Sequence, residues 1–236
     1  MKDAVASSAA ARALRSFLEG ERGRTVFLEH EAKGLLRDAG LSVPRGIVLL
    51  RDDGPDSLLS KTRDLSYPLV AKVSSSRIAS KTDVYGVVTG IRDMKELGDA
   101  VGRLAGIDGA EGVLVEEMAP PGIEVIVGGI IDPQFGPVVM FGLGGVFVEL
   151  FRDVAFGLAP LSGQDAMGLI ERVRGARLLK GYRGKPPADL SSLSHVIQTV
   201  SDLMATGLLQ EIDLNPVALY QDGASILDAK MKALDS

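Results

Sequence analysis

The chain has 236 residues, of which 46% are hydrophobic and 24% charged, with no cysteine and a formal net charge of −5. This composition excludes wholesale disorder, disulfides and thiolate chemistry, and no apolar stretch approaches the length that a bilayer requires. We therefore expect a globular protein of a reducing cytoplasm, with neither a membrane nor a nucleic acid as its partner.

Helices and strands alternate over the first part of the chain. Residues 5–19 and the stretch "TVFLEHEAKGLLRDAG" are predicted to form two helices, the second with Thr25 as its N-terminal cap. "RGIVLL" and "PLVAKV" are predicted strands, with a helix over residues 56–65 between them. "DMKELGDAVGRLAG" is predicted to form a helix capped by Asp93.

Closely spaced β-rich runs follow residue 111, and this spacing favours antiparallel hairpins. The runs are "GVLVEEM", "IEVIVGGII", "GPVVMFGL", "VFVELF" and "VAFGLAPL". Helices are predicted over residues 163–174 and 190–206, followed by two strands, "LLQEIDLNPVALY" and "ASILDAKM", that join at the turn "QDG". The predicted fold class is an α/β first lobe followed by an antiparallel α+β second lobe.

Two acidic residues and an asparagine near the C-terminus form a candidate Mg²⁺ site. Asp213 and Asn215 are two apart on a predicted strand and share a face, and Asp228 lies across from them if the two strands pair. Their oxygens suit Mg²⁺, which takes few protein ligands together with phosphate oxygens. Taken alone, the same residues also fit the solvated outer face of an edge hairpin. The core face of these strands would be supplied by Ile212, Leu214 and Leu227.

A lone lysine, Lys72, lies within the apolar run "PLVAKV". Burial of an ammonium group is unfavourable unless an anion meets it, and phosphate is the simplest such anion. The alternative is a lysine that reaches solvent from the end of a strand.

Two further segments have both a functional and a structural interpretation. The glycine-rich run "FGLGGVFVEL" would let backbone amides approach an anion, or would only form a tight turn. The strand that ends at Glu116, Glu117 and Met118 could present backbone groups to a flat base, with Met118 lining an apolar slot, or could simply lead into a turn.

The order of these signals resembles that of the ATP-grasp fold. Lys72, the "VEEM" strand, Glu124, the glycine-rich run and the final "EIDLNP…LDAK" follow one another as in that fold. More closely, the chain resembles the β subunit of ADP-forming acyl-CoA synthetases, the acetate–CoA ligase group, and is more distantly similar to the succinyl-CoA synthetase β subunit. The resemblance covers about residues 26–234 and includes "LLKGYRGKPPADL", a segment typical of the group.

The resemblance implies two lobes that enclose a nucleotide cleft, with ATP or ADP and Mg²⁺ as cofactors. It divides the chain into an N-terminal helical extension at residues 1–24, a first lobe at 25–111 and a second lobe at 112–236.

It also implies a role for each candidate nucleotide-binding residue. Lys72 would hold the ATP phosphates, and Glu124 would meet the ribose. The adenine edge would lie against the strand end formed by Glu116, Glu117, Met118 and Ala119.

For the metal, the resemblance implies that Asn215 and Asp228 bind Mg²⁺, with Asp213 beside them. In such enzymes a separate α-type subunit or domain binds CoA and carries a phosphohistidine that exchanges phosphoryl with the nucleotide. The implied function is the β-type subunit of a ligase that is active only in a hetero-oligomer with that partner.

The loop after the Lys72 strand departs from the family pattern. In close relatives, the sequence of this loop resembles "SPDILHKTDVGGV". The resemblance implies that the histidine of that pattern carries a phosphoryl group from the partner to the nucleotide. This chain reads "SSSRIASKTDVYGV", with Ser80 at the histidine position and Lys81 after it. Lys72, Ser80 and Lys81 are the candidates at the phosphoryl-transfer site. Relatives also have an arginine in "DVAFRLAP", where this chain has Gly157.

These departures leave two alternatives to the ligase subunit. One is a degenerate subunit that binds Mg-nucleotide but does not relay phosphate. The other is an ATP-grasp carboxylate ligase that works through a free acyl phosphate, which would need a pocket for an acceptor amine.

Overall fold

The computed structural model describes residues 7–21, 23–51, 53, 55–78, 80–145, 152–184 and 186–235. The chain divides into two compact units: a large unit, Met1–Val43 with Pro121–Ser236, and a small unit, Pro44–Pro120. The predicted boundaries, at residues 24/25 and 111/112, differ from this division. The reason is that the strand Gly112–Glu117 pairs with strands of the small unit, whereas the helix Glu29–Asp38 packs into the core of the large one.

The helices and strands are numbered here along the chain, and three short elements, Val26–Phe27, Val87–Ile91 and Ala176–Leu179, were not predicted from the sequence. The helices are α1 (Ala9–Gly20), α2 (Glu29–Asp38), α3 (Pro55–Thr62), α4 (Met94–Ala105), α5 (Gly163–Arg172), α6 (Ala176–Leu179) and α7 (Leu190–Ala205). The strands are β1 (Val26–Phe27), β2 (Gly46–Leu50), β3 (Leu69–Ser74), β4 (Val87–Ile91), β5 (Gly112–Glu117), β6 (Ile123–Asp132), β7 (Gly136–Leu143), β8 (Val154–Leu158), β9 (Leu209–Leu219), β10 (Ala224–Ile226) and β11 (Ala229–Ala233). The predicted strand "VFVELF" lies outside the described residues.

The two predicted helix caps have different outcomes. Asp93 caps α4, since its carboxylate accepts a hydrogen bond from the Glu96 N–H at 2.9 Å, so this prediction is confirmed. The prediction of Thr25 as the cap of α2 is wrong. The residues after Thr25 form β1, which pairs with β11, and the helix begins only at Glu29. The Glu31 carboxylate caps it instead, by accepting a hydrogen bond from the Leu28 N–H at 2.7 Å.

The small unit is built on an antiparallel sheet of order β2-β5-β3-β4. One face of this sheet packs on α4, through Leu97, Ala100 and Leu104, to form the core of the unit. Because side chains alternate along a strand, Leu69 and Ala71 point into this core. Lys72 and Ser74, at the alternate positions of β3, therefore belong to the opposite face.

The large unit is built on an antiparallel sheet of order β1-β11-β9-β6-β7-β8, with β10 also paired to β9. The predicted antiparallel hairpins are thus confirmed for β6 with β7 and for β7 with β8. The prediction is wrong for β5, which pairs with β2 and β3 of the small unit. Apolar side chains of α2, α5 and α7 pack with those of the sheet strands in one continuous core. Over the residues that the structure describes, no helix is both long enough and apolar enough to cross a bilayer.

The prediction of a single strand over "ASILDAKM" is wrong, because this segment forms two strands, β10 and β11. Both pair with β9, and the interruption falls at Leu227 and Asp228, opposite Asn215 and Pro216. A proline has no N–H to donate, so the regular ladder cannot pass through Pro216. The Leu227 N–H donates to the Pro216 carbonyl at 2.9 Å, and the Asn215 N–H donates to the Asp228 carbonyl at 3.2 Å. The strand break therefore lies at the residues predicted to bind Mg²⁺.

Candidate functional site

The predicted phosphate-binding lysine is buried against a carboxylate. Lys72 is 8% exposed, and its Nζ lies 2.8 Å from Oε2 of Glu116. Lys72 is opposite Leu114 in the register of β3 and β5, so Glu116 lies diagonally across on the same face of the sheet. The requirement for an anion beside a buried ammonium group is met, and the anion is the protein's own carboxylate.

A glycine on the neighbouring strand makes room for this carboxylate. Gly46 on β2 is paired with Glu116, and a Cβ atom added there would lie 2.7 Å from the Glu116 Cγ and 2.7 Å from the Val115 carbonyl oxygen. Such distances are too short for any side chain, so the position requires glycine. The sequence gives no sign of this role, because it depends on which strand lies beside β5.

A serine two residues after Lys72 contributes an unused polar group to the same face. Ser74 is buried, and its Oγ has no hydrogen-bond partner within the described part of the chain. A buried hydroxyl group without a partner costs about 1–3 kcal/mol. The position therefore offers a donor and an acceptor to a bound ligand or water molecule, and Ser74 was missed because it reads as the end of an apolar strand.

The strand end predicted to meet the adenine edge has two of its N–H groups engaged. The Glu117 N–H donates to the Arg45 carbonyl at 2.8 Å, and the Met118 N–H donates to the Pro68 carbonyl at 2.9 Å. Pro68 has no N–H to return to Met118, so the ladder ends there. A base at this edge would meet carbonyl oxygens and the backbone of Ala119, with the exposed Met118 side chain beside it.

The serines at the start of the loop after β3 are used to anchor it. The Ser75 hydroxyl donates to the Gly109 carbonyl at 2.7 Å, and the Ser76 hydroxyl and N–H donate to Oε1 of Glu111 at 2.7 and 2.6 Å. These contacts hold the start of the loop against the segment that precedes β5.

Ser80 and Lys81 shape the turn that ends this loop. The Ser80 Oγ accepts a hydrogen bond from the Asp83 N–H at 3.4 Å, and the Lys81 carbonyl accepts one from the Gly86 N–H at 2.7 Å. Both residues are half-buried. No imidazole takes part in this turn.

The described part of the glycine-rich run, residues 141–145, lies beside the predicted ribose-binding residue, and residues 146–150 of the run lie outside the described residues. The Gly144 N–H donates to the Glu124 carbonyl at 2.8 Å, and a Cβ atom at Gly144 would lie 3.0 Å from that same oxygen. Glycine therefore permits the close approach. The side chain of Glu124 is exposed.

The three predicted metal-binding residues come together in the large unit. Ile212 and Leu214 are buried in the core, whereas Asp213 is half-buried and Asn215 is exposed on the other face of β9. The hydrogen bond from the Asn215 N–H to the Asp228 carbonyl joins the second acidic residue to this pair. One expectation for the core face is wrong, because Leu227 is only half-buried. The fully buried residue is its neighbour Ile226, since the strand break displaces Leu227 from the ladder.

Charges surround Asp213. Burial raises the pKa of the Asp213 carboxyl, and the neighbouring charges of Asp228 and Glu211 raise it further, against the opposing effect of Lys230. Sequence reasoning missed Glu211 and Lys230, although the signal was present. Glu211 is two residues before Asp213 on β9, so alternation places both on one face, and Lys230 lies directly opposite Asp213 in the register of β11 and β9.

This set of donors fits Mg²⁺ that arrives with a nucleotide. The described residues contain no group of three His, Cys, Asp or Glu side chains placed to hold a metal ion by themselves. Mg²⁺ is commonly bound by one or two carboxylates together with substrate phosphates. The pKa of Asp213 is raised mainly by burial, with a smaller contribution from Asp228 and Glu211, and a divalent cation beside the carboxylate would favour its charged form.

Comparison with known sequences finds relatives along almost the whole chain. The ATP-grasp domain family matches residues 20–233. The β subunit of acetate–CoA ligase (ADP-forming) I from Pyrococcus furiosus is 36% identical over 214 residues, which cover 86% of this chain and 90% of that subunit.

Other relatives are longer proteins. Acetate–CoA ligase (ADP-forming) II from Archaeoglobus fulgidus is 36% identical over 87% of this chain, which spans only 30% of that protein. The 4-hydroxybutyrate–CoA ligase (ADP-forming) of Nitrosopumilus maritimus is 33% identical over 88% of this chain, and the match covers 31% of that protein.

Solved structures give the same result. The dinucleotide-forming acetyl-coenzyme A synthetase 1 of Ca. Korarchaeum cryptofilum, in complex with coenzyme A, Ca-AMPCP and HgCl⁺, has a chain that matches with a TM-score of 0.85 and 38% identity, covering 95% of this chain and 100% of that one. Another structure of that enzyme, with coenzyme A, Mg-AMPPCP and a phosphohistidine segment that points towards the nucleotide binding site, matches with a TM-score of 0.79, 38% identity and the same coverage.

Proposed function

The chain belongs to the ATP-grasp family, which confirms the predicted fold, and we propose that it is the nucleotide-binding, β-type subunit of an ADP-forming acyl-CoA synthetase. The observation that carries the proposal is the similarity to a separate β subunit over 90% of that subunit's length. The proposed reaction converts acyl-CoA, phosphate and ADP into a free acid, CoA and ATP.

The acyl substrate is proposed to bind outside this chain. Relatives named for acetate and for 4-hydroxybutyrate are similar to this chain at 36% and 33% identity, although their acyl groups differ. In both, the matched region is less than a third of the protein. We therefore assign acyl recognition and CoA binding to an α-type partner that carries the phosphorylatable histidine, in a hetero-oligomer with this chain.

Within this chain, we assign Lys72 to the phosphates of ATP or ADP. Lysine can donate three hydrogen bonds, so it can keep Glu116 while it contacts a phosphate oxygen. Positive charge at this point stabilises the charge that the phosphoryl group carries during transfer. The adenine edge is assigned to the strand end at Glu117, Met118 and Ala119, and the ribose to Glu124.

Asp213, Asn215 and Asp228 are assigned to Mg²⁺. When bound, the ion neutralises phosphate charge and orients the phosphates for transfer. The two carboxylates provide negative charge and the asparagine provides a neutral oxygen. Because these are few ligands, the site suits a cation that is also coordinated by the phosphates of the nucleotide.

Ser80 is proposed not to carry the phosphoryl group itself. A serine hydroxyl needs an adjacent base to act as a nucleophile, and its phosphate ester is too stable for a rapid relay. The Ser80 Oγ instead accepts a hydrogen bond within its own turn. Transfer is therefore proposed to occur directly between the nucleotide and the partner's histidine, with Ser80 and Lys81 shaping the loop around it.

The test is reconstitution with the partner. The chain, tagged and expressed in its native source, should co-purify with a CoA-binding protein that becomes phosphorylated on histidine. The purified pair should form ATP from acyl-CoA, ADP and phosphate, and the chain alone should bind Mg-ADP in calorimetry without forming any acyl-CoA. Acyl-CoA synthesis by the single chain, or the absence of nucleotide binding, would contradict the proposal.

A further inference from the structure

Helix α2 contains a buried ion pair that the proposed function does not use. The Nζ of Lys33 lies 2.8 Å from Oε1 of Glu29, one helical turn earlier, and the two side chains are 3% and 4% exposed. Buried ion pairs are weak contributors to stability, because removal of both charges from water offsets most of their attraction. Two apolar residues at these positions would serve the core at least as well.

The same lysine holds a backbone group at the strand break. Its Nζ donates to the Leu227 carbonyl at 2.8 Å. Leu227 precedes Asp228, so this carbonyl and the Asp228 N–H belong to one planar peptide unit. The Asp228 N–H points to the Pro216 carbonyl at 3.4 Å. Lys33 and Pro216 thus hold the two sides of the peptide plane that leads into Asp228.

The plane that follows Asp228 is held as well. The Asp228 carbonyl accepts a hydrogen bond from the Asn215 N–H at 3.2 Å. With both flanking peptide planes fixed, the direction of the Asp228 Cα–Cβ bond is fixed relative to Asn215. Of these contacts, only the one from Lys33 comes from outside the two paired strands, and it carries a full charge, which makes it the stronger kind of hydrogen bond.

We propose that Lys33, oriented by Glu29, is a positioning residue that sets the direction of the Asp228 carboxylate through the Leu227 carbonyl. The role rests on the proposed function, since Asp228 is assigned there to Mg²⁺. Residues that orient the ligands of a metal affect its affinity by about 10–100-fold when they are replaced. The role of the ion pair is then to set the direction of the Asp228 carboxylate, and not to stabilise the fold.

The experiment separates geometry from stability with a paired substitution. Lys33→Met leaves the Glu29 carboxylate buried without its lysine and lowers the melting temperature. Glu29→Met/Lys33→Met removes both charges and restores stability, but cannot restore the contact to Leu227. We expect the double variant to have a melting temperature near that of the wild type and to bind Mn²⁺-ADP about 10–100-fold more weakly, measured by the paramagnetic signal of Mn²⁺. The affinity for ADP without metal should be unchanged.

Glu31→Gln is the matched control on the same helix. It removes the carboxylate that pairs with Arg24 at 2.9 Å and accepts the Leu28 N–H. It should lower the melting temperature and leave Mn²⁺-ADP binding as in the wild type, because it does not reach the strand break.

A second measurement keeps the inference testable without nucleotide. Hydrogen exchange at the Asp228 amide should be faster in the double variant than in the wild type, with the rest of β9 unchanged. If the wild type fails to bind Mg-ADP, the proposed function fails while this measurement still tests the contact. Wild-type Mn²⁺-ADP affinity in the double variant, or unchanged exchange at Asp228, would overturn the positioning role.

Discussion

The Lys72 ammonium and the Glu116 carboxylate hold one another on the same face of the small unit's sheet, with 2.8 Å between Nζ and Oε2. The cation is thus placed in advance, before any phosphate arrives. Gly46 secures the arrangement, because only a residue without a side chain leaves space for Glu116. A nucleotide that binds here meets a lysine whose side chain has already lost its freedom, which lowers the entropic cost of the contact.

Replacement of Lys72 should therefore weaken nucleotide binding directly. Lys72→Met removes a charge-assisted hydrogen bond to phosphate, and we expect a loss of about 1.5–3 kcal/mol in the affinity for Mg-ADP by calorimetry. Lys61→Met is the control, because Lys61 forms a surface ion pair with Asp53 in the same unit. Equal affinities for the two variants would remove Lys72 from the site.

A methyl group at Gly46 should disturb the same pair from a distance. Gly46→Ala places a carbon 2.7 Å from both Glu116 Cγ and the Val115 carbonyl oxygen, so the strands must separate. We expect a loss of about 1–3 kcal/mol in the free energy of unfolding, as for other overpacked sites, and weaker nucleotide binding. Urea unfolding measures the first and calorimetry the second.

The matched control for Gly46 is a glycine with open space around it. Gly102 lies in helix α4, and a Cβ atom there would meet no atom within 4 Å. Gly102→Ala should raise stability by about 1 kcal/mol through helix propensity. If both substitutions changed stability in the same direction, the contact with Glu116 would not be the cause.

Asp213 should destabilise the metal-free protein above acidic pH. Its pKa is raised in the folded state by burial and by Asp228, so the folded chain binds its proton more tightly than the unfolded chain does. Stability from this group is present at low pH and is lost as pH rises from its ordinary pKa through the raised value. Asp213→Asn should therefore be more stable than the wild type near neutral pH, by urea unfolding without Mg²⁺, and should lose part of the Mg²⁺ dependence of nucleotide binding. A wild type that gained stability relative to this variant with rising pH would contradict the assignment.

The loop departures predict a two-residue gain of function. When incubated with its partner and labelled ATP, the wild-type chain should carry no label. The double variant Ser80→His/Gly157→Arg should acquire an acid-labile phosphate. Neither single variant should acquire this phosphate. At Gly157 a new Cβ would lie 3.1 Å from a terminal methyl of Leu161, a flexible side chain that can move aside. Label on Ser80 that turns over at the rate of the reaction would refute the argument.

Local patterns predicted the acidic site better than the lysine site. Alternation predicted that Asp213 and Asn215 share a face of β9, and the turn before β10 predicted that Asp228 lies across from them. Both predictions depend only on residues close in sequence. Glu116 could not be predicted as the partner of Lys72, because β3 and β5 are neighbours only after β4 and α4 have intervened along the chain.

Long-range pairing also explains the other misses. Thr25 has the right chemistry for a helix cap, but Val26 and Phe27 pair with β11 at the opposite end of the chain. The contact between Lys33 and Leu227 joins residues 194 positions apart, which no local signal indicates. Pro216, in contrast, did carry a readable signal: a proline within a strand predicts an interrupted ladder.

The pairing of β1 with β11 brings the two ends of the family's fold to one sheet edge, with Val26 opposite Lys232. A linker added before β1 or after β11 would therefore start from nearly the same point in space. Circular permutation is tolerated where chain ends meet in this way. The same geometry would let a further domain fused at either end begin from nearly the same place on this unit.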